Sequence, residues 1–201
     1  MAKPASVPIH GKGAHNTGFL LAIGGLVVNW ANNESVFLAM LQALIGEDKL
    51  SASIVWHSHR TTQSRLALVT RLVREQVKDA TLVADIESAI SQFKGFSRVR
   101  HFYCHATYTY DDDLCLRIAS GASFPQDGEA IRFEDKMMDK ATLNEITSAS
   151  IKLAEFNRQT WQLVERLQAS LGRQRVKLPA LLSGSPPDPK SHPPKDGPPT
   201  P

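Results

Sequence analysis

Residues 97–105 read SRVRHFYCH and set two arginines, two histidines and a serine into a short segment that is otherwise apolar or aromatic. An arginine side chain is permanently charged, and its planar fork matches phosphate oxygens. An imidazole titrates near neutral pH and can take or give a proton. Together they are the minimum set for cleaving a phosphodiester without a metal. Arg100 and His105 are the candidate catalytic pair, with Arg98 a second phosphate-binding cation. His101 stands four residues before His105, so the two share a helix face and His101 supports the pair. That spacing also suits two ligands of a metal ion. The third ligand would have to come from His57, His59 or Cys115, and no linked set of spacings joins them. The expectation is therefore no metal and no cofactor.

The local sequence suggests how the segment is held. Gly95 can end a preceding helix, and Ser97 is a good N-cap for a new one. Arg98 and Arg100 would then lie in a first turn whose unpaired N–H groups already favour an anion. Arg100 and His105 stand five residues apart, about 140° around an ideal helix. The arginine must curl over the helix start if both are to touch one ligand.

The positioning elements follow from apolar periodicity. A first helix is expected over residues 18–45, where Ile23, Val27, Trp30, Leu38, Leu41 and Ile45 form a stripe and Gly46 supplies a stop. Glu34 falls within the stripe and needs a cation or donors there. It serves either a structural ion pair or the orientation of a site arginine, with Arg100 the candidate. A second helical region covers residues 53–77, broken near Thr61, with His59 on its inner side. A third begins after Asp79 and uses Leu82, Ile86, Ile90 and Phe93. The motif helix follows and ends near Tyr108 or Tyr110, before a solvated turn at Asp111, Asp112 and Asp113. Alternation around Leu116 and Phe133 reads as a small hairpin with a long loop. The last helix carries the capping-box pattern Thr142 to Glu145 and stops at Gly172. The expected fold is all-α, a bundle of about five helices with a small β-hairpin insertion.

Composition bounds the rest. A chain of 201 residues, 42% hydrophobic, can bury one core. Nine of the twelve prolines fall at or after Pro179, which divides the chain into a flexible segment 1–16, a helical domain 17–172 and a disordered Pro-rich tail 173–201. The tail carries the whole net charge of +3, so the body is formally neutral. This argues against a strongly basic domain that coats nucleic acid. Two cysteines are too few for a disulfide framework and fit a reducing cytoplasm. The apolar run from Phe19 to Val28 is too short to span a bilayer and lacks a convincing cleavage site, so no membrane partner is expected.

Arg100, four residues and then His105, in a compact helical body, resembles the HEPN superfamily (higher eukaryotes and prokaryotes nucleotide-binding) over residues 17–172. Many members are metal-independent ribonucleases, among them toxins of toxin-antitoxin pairs, abortive-infection proteins and the RNA-cutting parts of CRISPR effectors. The resemblance implies an endoribonuclease with Arg100 and His105 as its catalytic pair, acting in phage defence or as a toxin. The position after the arginine, commonly Asn in the superfamily, is His101 here. Thr107 stands where some toxins carry a regulated tyrosine. Two such motifs often face each other across a dimer cleft, so the implied partners are RNA, a second copy of the chain and an antitoxin or other neutralising protein. Members that lack catalysis serve as nucleotide- or protein-binding modules, which is the alternative reading.

Overall fold

The structure, a computed structural model, describes residues 12–123 and 132–172. Five helices and three strands follow in order: α1 (Lys12–Ile45), α2 (Lys49–Ser58), α3 (Thr62–Gln76), α4 (Ala80–His105), β1 (Thr107–Tyr110), β2 (Leu116–Ser123), β3 (Arg132–Met137) and α5 (Lys140–Ser170). The fold is a helical bundle with a small antiparallel sheet inserted before its last helix. The expectations for the Pro-rich tail and for most of the N-terminal segment lie outside the described residues.

The long α1 buries Phe19, Leu26, Trp30, Phe37, Met40 and Leu44, spacings of three, four and seven residues that keep one helix face inward. Of the expected stripe, Trp30 and Leu41 are buried and Ile23, Leu38 and Ile45 pack against the core, whereas Val27 is 40% exposed. The helix also starts six residues earlier than expected, because its first turns are tied to β2. The Nε2–H of His15 donates to the Leu116 carbonyl at 2.9 Å, and the Asn16 amide donates to Leu114 O at 2.7 Å and accepts from Leu116 N at 2.9 Å. Gly46, at φ 72°, ends the helix in the left-handed region.

The break between α2 and α3 falls where expected. Arg65 spans it, its Nε donating to the carbonyls of Trp56 and His59, while Thr61 and Ser64 form a capping box at the start of α3. Asp79 caps α4 by accepting from the backbone of Thr81 and Leu82.

Helix α4 runs straight through Gly95, which corrects the expected break there. A glycine inside a helix costs about 1 kcal/mol. The buried Phe93, two residues before it, contributes roughly 1.5–3 kcal/mol by leaving water. Its ring stacks on Trp30 at 4.2 Å and on Phe156 at 6.0 Å, while Phe96 meets Phe156 at 6.0 Å. These contacts across α1 and α5 hold both sides of the glycine in one helix. Ser97 is no N-cap; its hydroxyl donates to Lys94 O at 2.6 Å, inside the helix. The helix stops at His105, sooner than expected, because Thr107–Tyr110 pairs with β2 as a strand.

The sheet has the order β1-β2-β3, with Thr109 opposite Ile118 and Ala122 opposite Phe133. It lies close on α4 at Gly121, where a Cβ would stand 2.8 Å from the Phe102 ring. Helix α5 begins at Lys140 under an Asp139 cap, ahead of the capping-box pattern read from Thr142. It lies parallel to α1, joined by Asn29 to Ser150 Oγ at 2.9 Å and by the buried Asn33 to Leu153 O at 2.9 Å. Gln168 is 1% exposed, and neither atom of its amide has a partner among the described residues. Gln168→Met should therefore raise the unfolding free energy by about 1–2 kcal/mol, read from the midpoint of urea denaturation. A lowered midpoint would show that the amide is satisfied.

Candidate functional site

The end of α4, from Arg98 to His105, carries the candidate residues. Because the helix is continuous, Arg98, His101 and His105 follow at spacings of three and four and share a face, with Arg100 toward α1. The two imidazole rings stand 4.6 Å apart, centroid to centroid. Arg98 and His105 are exposed; Arg100 and His101 are half-buried. The guanidinium carbon of Arg100 lies 5.6 Å from the centre of the Trp30 ring, a cation–π contact with α1. Its Nε is buried with no hydrogen-bond partner among the described residues.

This placement corrects the electrostatics expected from sequence. The arginines do not sit in a first turn, and no unpaired helix N–H groups stand beside them. His105 lies in the last turn instead, where the helix carries partial negative charge and favours a cation. An anion bound here would rely on Arg98 and Arg100, against the helix field.

His101 is held below its ordinary pKa of 6.5, first by burial and then by the neighbouring charges of His105 and Arg100. Its neutral form is thus favoured in the folded state. As pH falls through 6.5 the unfolded chain takes up this proton before the folded one, so stability should be full above that pH and decline below it. His101→Gln should flatten this acid-side decline in a series of thermal melts. An unchanged slope would exclude His101 as its source.

Glu34 is not brought to Arg100. It accepts a hydrogen bond from Thr62 Oγ1 at 2.6 Å and lies 3.6 Å from the Arg65 guanidinium, so it forms the structural ion pair between α1 and α3. Among the described residues, no three or more His, Cys, Asp and Glu side chains gather where they could hold a metal ion. His101 and His105 therefore gain no further ligand from His57, His59 or Cys115.

Two groups that position the site are not legible in the motif itself. Trp30 supports Arg100 from the buried face of α1. A phenol network fixes the end of α4. The buried Tyr103 donates to Glu145 Oε2 at 2.9 Å, and Lys136 donates to Glu145 Oε1 at 2.8 Å while lying over the Phe102 and Tyr103 rings. Tyr108 donates to the Tyr103 carbonyl at 2.5 Å. Burial raises both phenols, Tyr103 with help from Glu145 and Tyr108 up to about 12, so both stay neutral as anchors.

No described helix is long and apolar enough to cross a membrane. Comparison with known protein families, with curated proteins and with solved structures found no match.

Proposed function

We propose that this chain is a metal-independent endoribonuclease of HEPN type, a cytoplasmic toxin or phage-defence effector whose site is completed by a second copy. The observation that carries this reading is the face of α4 shared by Arg98, His101 and His105, with Arg100 about 140° around the helix from His105 and its Nε without a hydrogen-bond partner among the described residues. RNA brings its own nucleophile. The 2′-OH attacks phosphorus and gives its proton to an imidazole, for which His105 is the candidate. The bond to the 5′ oxygen breaks, and that oxygen takes a proton from a second acid, leaving a 2′,3′-cyclic phosphate. Since the neutral form of His101 is favoured, His105 of the second copy is the candidate acid. Arg100 and Arg98 offset the charge that builds on the non-bridging oxygens. Besides RNA and a second copy, the reading includes an antitoxin or other neutralising protein as partner.

A second reading keeps the phosphate contact and drops the catalysis, giving a nucleotide- or protein-binding module. The packing of Arg100 on Trp30 favours it, since a stacked guanidinium holds an anion without any proton transfer. Incubation of the purified full chain with mixed RNA in excess chelator separates the two. Cleavage that leaves 2′,3′-cyclic phosphate ends supports the ribonuclease. RNA that is retained but uncut supports the module.

A further inference from the structure

Charge is segregated along the chain. Residues 49–110 carry nine Lys and Arg against four Asp and Glu, whereas residues 111–172 carry seven against eleven. Two runs within the basic part, residues 49–74 and 88–110, hold no acid at all. The first takes in most of α3 and the second ends in the motif segment of α4, so the excess of cations falls on two helices that pack together.

An ion pair fixes how those helices lie. Arg74 Nε on α3 stands 2.5 Å from Glu87 Oε1 on α4, and a turn of three residues, Val77 to Asp79, returns the chain, so the two run antiparallel away from this pair. On α4, Lys94, Arg98, His101 and His105 follow Glu87 at spacings of seven, four, three and four, which keeps them on the flank that meets α3. On α3, Arg71 stands one turn before Arg74, over the same seam. At 1.5 Å per residue, Arg71, Lys94, Arg98 and His105 lie about 5, 10, 16 and 27 Å from the ion pair, a line of cations that leads to the imidazole. Arg71, Lys94 and Arg98 are exposed, and none forms an ion pair among the described residues.

The surroundings of this line point to one kind of occupant. None of the large apolar side chains exposed among the described residues lies on α3 or α4. A protein partner needs an apolar centre to its contact, whereas nucleic-acid contacts are polar and positive. A single line of cations also suits a single strand. We propose that the seam between α3 and α4 is the track of the RNA strand beside the cleaved bond, with Arg71 and Lys94 on phosphates that Arg98 and His105 do not reach. The distance from Arg71 to His105 is about 22 Å, which spans about six phosphates at the rise of about 3.4 Å per phosphate in a stacked strand. The substrate is therefore an unpaired stretch of about that length. In naming RNA the inference rests on the ribonuclease reading, but the track is tested by binding and not by cleavage.

A 2′-O-methyl oligonucleotide of about twelve residues, twice the length of the track, has no free 2′-OH and can be bound without being cut. Its affinity for the full chain should fall by about 10-fold or more when Arg71→Gln and Lys94→Gln are combined, with the helical spectrum retained. The slope of log affinity against log salt should become shallower by about 1.4, two lost contacts at about 0.7 each on a single strand. Lys152→Gln, which removes an exposed cation of α5, should change neither quantity. Unaltered affinity and slope in the double variant, or an equal loss in Lys152→Gln, would overturn the proposal. Tighter binding of polyglutamate than of the oligonucleotide would also overturn it, by making the seam a docking face for an acidic protein. A chain that holds the oligonucleotide through Arg71 and Lys94 yet leaves RNA uncut would keep the track and remove the ribonuclease.

Discussion

Arg100→Ala and His105→Ala are each expected to lower RNA cleavage by about 10²-fold or more, the size of effect usual when a proton-transfer group or a charge-stabilising donor is removed. The two should differ in their structural cost. His105 is exposed at the end of α4, and its loss should leave the melting curve in place. Arg100 packs on Trp30, so its loss also uncovers part of that ring. Arg100→Lys separates the effects: it keeps the charge and most of the packing but removes the planar fork, and cleavage should remain low. Arg98→Ala should weaken RNA binding more than turnover, because this residue offers charge from an exposed position. Single variants that cleave at the wild-type rate would end the catalytic assignment.

Phe93→Ala is expected to cost about 3–5 kcal/mol of stability, a large part of the roughly 5–15 kcal/mol available to a folded protein. The ring is fully buried and contacts three others, Trp30, Phe37 and Phe156, which joins α4 to both α1 and α5. Its removal leaves a cavity directly behind the platform for Arg100. Urea denaturation should show the midpoint falling steeply, whereas Phe133→Ala, whose ring is 87% exposed on β3, should hardly move it. Equal effects from the two would mean that the core does not lie between these helices.

The sequence was most legible where one local feature decides the outcome. The stop at Gly46, the interruption before α3 and the start after Asp79 each depend on a cap or a left-handed residue within a few positions. It was less legible where distant packing outweighs local preference. Gly95 and Ser97 together resemble a helix junction, yet Phe93 and Phe96 hold the helix straight by contacts made more than fifty residues away in sequence. The strand Thr107–Tyr110 exists because β2 is beside it; its own four residues are too short to show a period. Glu34 was correctly read as needing a cation, but the choice between Arg65 and Arg100 depends on which helix lies next to it. In the site itself, the pairing of His101 with His105 follows from their spacing alone. Trp30 under Arg100 does not, since it joins residues seventy positions apart.

Cleavage of mixed RNA in chelator by separately purified Arg100→Ala and His105→Ala proteins, alone and after joint unfolding and refolding, tests the central claim most directly. The account predicts cleavage by the wild type, about 10²-fold less or lower by each variant alone, and partial recovery in the mixture, where one copy supplies the imidazole and the other the guanidinium. Undiminished cleavage by both single variants, in preparations free of contaminating nuclease, would contradict it.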